Sequence, residues 1–144
     1  MVDETLDEKP FSTGSCSCGE ISLVIREKPQ IMMQCHCLDC QKVSGTGHTS
    51  HAYFATEDVT IEGDASCHSV ESDSGHEMIR CFCPVCGSRM FGYNGQKPGT
   101  ISIEVGCLDD RSWFTPQIVL FASRREDWDI TSDEIPNFPK MPPS

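Results

Sequence analysis

Residues 81–88 read "CFCPVCGS". The C-x-x-C spacing of Cys83 and Cys86 lets two thiolates face one ion across a tight turn, with Zn–S distances of about 2.3 Å. Pro84 inside the turn fixes φ and removes a donor, and Gly87 after it can take the positive φ that closes such a knuckle. One knuckle is half of a tetrahedral site. A second half stands far upstream in "GSCSCGE" at residues 14–20, where Cys16 and Cys18 precede Gly19. Cys16, Cys18, Cys83 and Cys86 together satisfy a closed four-thiolate structural zinc. Such a site would tie the start of the domain to its middle, and metal-binding free energy would become folding free energy. Cys81 repeats the C-x-C relation to Cys83 and is an alternative member of the set.

Between the two halves lies "QCHCLDCQKVSG" at residues 34–45, with Cys35, Cys37 and Cys40 inside six positions. Three protein ligands and a free fourth position are the ligand count of a catalytic zinc. A zinc with three thiolates is electron-rich, a poor activator of water, and suited to holding an incoming thiol as thiolate. Other readings stay open. The set can be a second structural site closed by Cys67, Cys81, Cys107 or a histidine. A disulfide scaffold and a redox C-x-x-C at Cys37 and Cys40 are disfavoured, the latter because no βαβ pattern surrounds it. His36 is expected to point away from the metal, and His48, His51, His68 and His76 show no mutual ligand spacing. Cys67 and Cys107 read as buried small apolar residues, and Trp113, Trp128, Phe82 and Phe91 as core or tail-packing groups.

Ten cysteines in 144 residues call for either disulfides or metal. The opening "MVDETLDEKPF" has no basic stretch and no apolar stretch of a signal peptide, and no apolar run approaches the ~18 residues of a membrane span. The expectation is a cytoplasmic protein with reduced thiols. A net charge of −11, from 11 basic and 22 acidic residues, argues against nucleic acid as a partner.

Short runs rich in β-branched and aromatic residues predict strands at Glu20–Arg26, Thr49–Ala55, Val59–Glu62, Ala65–Glu71, Glu77–Phe82, Arg89–Tyr93, Thr100–Val105 and Gln117–Ala122. Turn signals such as "EGDA", "SDSG" and "YNGQKPG" separate them. Only Leu38–Val43 predicts a helical turn. The fold class is therefore all-β. Residues 1–10 read as a disordered acidic leader, 11–138 as one zinc domain, and 139–144 as a proline-rich extended tail.

The set "GSCSCGEISL", "QCHCLDCQKVSG", "FCPVCGSRMF" and "DWDITSDEIPNFP" resembles the glutathione-dependent formaldehyde-activating enzyme family, which also includes centromere protein V. The resemblance runs from about Gly14 to Phe138. It implies a zinc-stabilised β-tent, twisted antiparallel sheets around a four-cysteine zinc with few helical turns. It implies two zincs: a structural one on Cys16, Cys18, Cys83 and Cys86, and a catalytic one on Cys35, Cys37 and Cys40. The activity it implies is that of a carbon–sulfur lyase, joining glutathione and formaldehyde as S-hydroxymethylglutathione, so the expected partners are a small-molecule thiol and aldehyde. A homodimer through exposed sheet edges fits as well. Members commonly carry "P-x-x-H-I" in the last strand, where this chain has "PQIVL" and Val119 at the histidine position. Lys42, Arg80, Arg89, Arg111, Arg124 and Arg125 are the cations available for an anionic thiol, with Lys42 the best placed. His36, His48 and His51 are candidates for proton transfer. Two further readings remain: a binding module with both metals structural, and a related enzyme that uses no glutathione.

Overall fold

The computed structural model describes residues 9–72 and 75–142. Most of the expected acidic leader, two residues of the "SDSG" turn and the last two of the tail lie outside them.

The chain is all-β with one short helix. The strands are β1 (Ser12–Ser15), β2 (Ser22–Ile25), β3 (Ile31–Cys35), β4 (Thr49–Ala55), β5 (Val59–Glu62), β6 (Ser66–Glu71), β7 (Glu77–Phe82), β8 (Arg89–Asn94), β9 (Thr100–Glu104) and β10 (Ile118–Leu120), with helix α1 (Leu38–Ser44) between β3 and β4. They form a three-stranded sheet in the order β1-β2-β5 and a seven-stranded sheet in the order β10-β3-β4-β9-β8-β7-β6. Pairing is antiparallel, as expected, except for β10, which runs parallel to β3. Strands β1 and β3 were not expected. Both are polar or short in β-formers, and pairing with β2 and β4 supplies what their own propensity lacks.

Successive side chains of a strand point to opposite faces. On one face of the large sheet, Ala52 and Phe54 of β4 and Ile101 and Ile103 of β9 pack against Ile21, Leu23 and Ile25 from the small-sheet side, forming the main core. Phe11, half-buried Trp113 and Phe54 stack at its edge, with ring centroids 5.0 Å apart for Phe11–Trp113 and 6.3 Å for Phe54–Trp113. Phe91 joins this core, whereas Trp128 is 66 % exposed and belongs to neither apolar cluster among the described residues, contrary to its expected role. The opposite face carries a smaller cluster of Met33, Cys35, Cys40, Tyr53 and Leu120. That second face is where the functional groups gather.

Two cysteine expectations are overturned. Cys67 is exposed and joined to Cys81 by a disulfide. The cause is register: antiparallel β6 and β7 set the two directly opposite. Cys81 is therefore withdrawn from the candidate ligands of either metal set. Cys107 is half-buried beside the Met90 carbonyl, 3.9 Å away, and burial pushes its thiol up to about 12. Among the described residues, no helix is long and apolar enough to cross a membrane.

Candidate metal and substrate site

The first cluster sits where the β1–β2 turn meets the turn after β7. The sulfurs of Cys16, Cys18, Cys83 and Cys86 all lie within 4.8 Å of one another. Cys16 and Cys18 are 3.6 Å apart and Cys18 and Cys83 are 3.7 Å apart. A tetrahedral zinc with Zn–S of about 2.3 Å needs sulfur–sulfur edges of roughly 3.8 Å, so the spacing fits that ion. The backbone N–H groups of Ile21 and Val85 donate to Cys16 and Cys83 at 3.2 and 3.4 Å, which stabilises thiolate charge. The Ser88 hydroxyl lies 3.2 Å from the Cys86 sulfur and accepts from Ser17 N–H at 3.0 Å, stitching the two turns together. Hydrogen bonds from Ser88 hold Cys86 down at about 5. Gly87 adopts φ 80°, closing the knuckle.

The second cluster is built by one tight corner. Cys35 ends β3, Cys37 caps α1, and Cys40 lies one turn into the helix. Cys37 takes the cap position, where its sulfur accepts from Cys40 N–H at 3.2 Å. The three sulfurs lie within 4.8 Å of one another. Hydrogen bonding from Cys35 and Cys40 pulls Cys37 down to about 3, and the same contacts push Cys35 up. Three soft donors in a tripod suit zinc and leave the side away from the corner open.

That open side is a cavity of about 360 Å³ into which Cys35, Cys37 and Cys40 project. None of the four cysteines of the first cluster lines it. The register of the large sheet explains its walls. Leu120 pairs with Cys35, Met33 with His51, Tyr53 with Ser102, and Arg80 with Gly92. Directly paired residues share a face, so five strands aim alternate side chains at one hollow. Lys42 and Arg124 reach its rim from α1 and from the segment after β10. Of the six cations considered from sequence, Lys42, Arg80 and Arg124 line the cavity, against Asp39 as the acid. Among the described residues none of those three is paired with a carboxylate. The others are engaged elsewhere: Arg89 with Glu104 at 3.2 Å, Arg111 with the Gly106 carbonyl, and Arg125 with the Asp129 carbonyl.

The three histidine candidates separate cleanly. His51 lines the cavity, and its Nδ1 is 3.9 Å from Glu104, its register partner on β9. Burial drops His51 to about 4 and lifts Glu104 to about 7. His36 turns away from the sulfurs as expected, but it is wholly buried, not superficial. It and His48 converge on Asp129: His48 Nδ1 is 2.6 Å and His36 Nδ1 3.3 Å from Asp129 Oδ2. His36 Nδ1 also lies 3.2 Å from the Gly47 carbonyl. A Cβ at Gly47 would fall on the Asp129 carboxylate, so this approach requires glycine there. His36, His48 and Asp129 form a third cluster of potential ligands that sequence spacing concealed, because 81 residues separate His48 from Asp129. His68 and His76 belong to no such cluster among the described residues.

Comparison with known proteins follows the same lines. Residues 11–124 match the family model described as "Glutathione-dependent formaldehyde-activating enzyme". Among solved structures, the chain is similar to a Rhodobacter sphaeroides protein determined as a structural genomics target. The TM-score is 0.56 at 16 % identity, over 88 % of this chain and 99 % of that one, which is a likeness of fold. No curated protein matches.

Proposed function

Because the chain belongs to the glutathione-dependent formaldehyde-activating enzyme family, we propose that it adds a small aldehyde such as formaldehyde to a thiol such as glutathione, or removes it, at Cys35, Cys37 and Cys40. On this reading residues 11–138 work as one domain, and Cys16, Cys18, Cys83 and Cys86 hold a structural zinc. One observation carries the proposal. The four-sulfur cluster is complete and lies apart from the cavity, whereas the three-sulfur cluster is one ligand short and opens into it. A zinc ion on the three thiolates would supply a position at which an incoming thiol is held as thiolate at neutral pH.

The chain's own residues account for the rest. Lys42, Arg80 and Arg124 offset the bulk charge of −11 locally, so an anionic thiol meets a positive mouth. Sulfur attack on the aldehyde carbon forms the carbon–sulfur bond, and the carbonyl oxygen then needs a proton. His51 is the histidine that lines the cavity, and Glu104 behind it is the carboxyl placed to orient the ring or return its proton. His36 and His48 are removed from this role by their engagement with Asp129. Val119, at the position where relatives commonly carry histidine, is buried in β10 and points to the face of the sheet opposite His51 and the cavity.

The test is exchange between glutathione and its formaldehyde adduct, followed by two-dimensional exchange NMR. The zinc-loaded protein is expected to accelerate it, and Cys35→Ser to return it to the uncatalysed rate with the circular dichroism spectrum retained. Full activity in Cys35→Ser contradicts the assignment.

A further inference from the structure

We infer that the thiol this cavity is built for is an amphipathic anion: a thiol carrying an apolar body and a single carboxylate-class group, preferred over the polar tripeptide glutathione. The inference rests on the reading of Cys35, Cys37 and Cys40 as an open thiol-accepting site, and asks what shape and polarity of thiol the walls accept.

Three observations point the same way. The first is the lining. Met33, Leu38, Met78, Leu120, Phe121 and Met141 surround the three sulfurs. Half of these are methionines, whose unbranched thioethers mould themselves to an apolar guest. Aldehyde binding does not require such a wall, since formaldehyde has only two heavy atoms. The peptide groups, ammonium and two carboxylates of glutathione would have Tyr53, Asn94 and Gln96 as polar partners in the cavity, but they gain nothing from its apolar wall. An apolar ligand body gains from every Å² it removes from water there.

The second observation is a conformational cost concentrated at this wall. Phe121 has φ 53° and ψ 40°, and it is the one non-glycine among the described residues with positive φ. A bulky residue in the left-handed region is disfavoured, and such outliers persist where the surroundings hold them. Here the holder is the segment that follows. Phe121 N–H donates to the Lys140 carbonyl at 3.2 Å, Ala122 N–H to that of Phe138 at 2.9 Å, and the Ser123 hydroxyl to that of Pro139 at 2.5 Å. This clasp keeps the Phe121 ring on the cavity and brings Met141 to the same wall. Residues 138–141, which complete this wall, lie outside the family-matched span of 11–124.

The third is charge. Lys42, Arg80 and Arg124 border the apolar wall, and Asp39 is the acid opposing them. Net positive charge at the mouth of an apolar hollow selects a guest that is negative at one end and greasy along its length.

Isothermal titration of the zinc-loaded full chain with four thiols tests this. The probes are glutathione, 3-mercaptopropanoate, 2-benzyl-3-mercaptopropanoate and phenylmethanethiol. The benzyl acid is expected to bind about 10-fold or more tightly than either glutathione or unsubstituted 3-mercaptopropanoate. Arg80→Gln is expected to erase its advantage over uncharged phenylmethanethiol, and Met141→Ala to reduce its advantage over 3-mercaptopropanoate. Glutathione binding as tightly as the benzyl acid, or more tightly, overturns the inference while leaving the open thiol site standing. Binding of none of the four overturns both.

Discussion

At the scale of single residues, the cysteines divide by what each faces. Cys83 faces three other sulfurs and backbone donors, so Cys83→Ser is expected to act on stability. Loss of one structural thiolate should cost several kcal/mol, given apparent zinc contributions of about 10–16 kcal/mol in small zinc domains, and a urea titration reads it. Cys35 faces the cavity, so its replacement should act on turnover. The His51–Glu104 pair yields a prediction with opposed signs. Burial raises Glu104 from 4.5 to about 7. Between those values the folded protein holds a proton that the unfolded chain has released. The stability this group contributes is complete below 4.5 and falls as pH climbs to 7. Burial lowers His51 from 6.5 to about 4, so across that window the unfolded chain binds the proton and stability rises with pH. Glu104→Gln removes only the first contribution. Relative to the parent, the variant's unfolding free energy is expected to climb between pH 4.5 and 7 by on the order of a few kcal/mol. A difference that stays flat with pH would mean the carboxyl is not perturbed by folding.

At the scale of elements, the strands that composition made legible were those carrying β-branched or aromatic residues between turn signals: the expected bounds of Thr49–Ala55, Val59–Glu62 and Glu77–Phe82 are the bounds found. Strand β3 was hidden because "IMMQC" mixes methionine and glutamine, and its identity as a strand comes from β4 and β10 on either side. The cysteine motifs were legible because ligand spacing is local. Asp129 was not, because it acts through space. It sits after β10, bonded to His48, close to His36, and held by Arg125, whose guanidinium donates to its carbonyl at 2.9 Å. The segment thus fastens the corner that carries Cys35 and Cys37 from behind. Asp129→Asn keeps the shape and removes the charge. It is expected to cost about 1–3 kcal/mol, the usual penalty for a buried polar partner lost, seen as a lower urea midpoint. An unchanged midpoint would reduce the contact to a surface hydrogen bond.

For the whole molecule, two sheets enclose one apolar core, and the four-sulfur cluster joins turns that are 65 residues apart between Cys18 and Cys83. Metal removal is therefore expected to loosen the entire fold: a chelator should lower the melting temperature well beyond the effect of Cys35→Ser, as followed by circular dichroism. The all-β class and both sulfur sets could be read from sequence because each follows from residue type and short spacing. The cavity could not, since its walls come from five strands and the chain end, and only the register brings them together. The same holds for the Cys67–Cys81 disulfide, which depends on β6 and β7 pairing in one particular alignment. The central claim is that the three-sulfur cluster has room for a substrate thiol whereas the four-sulfur cluster has none. Zinc K-edge X-ray absorption on the metal-loaded chain, before and after adding glutathione, measures it directly. The account predicts that sulfur coordination per zinc rises when the thiol is added, and that Cys35→Ser abolishes the rise. Zinc already saturated by four protein ligands at both sites, with a spectrum indifferent to added thiol, would contradict it.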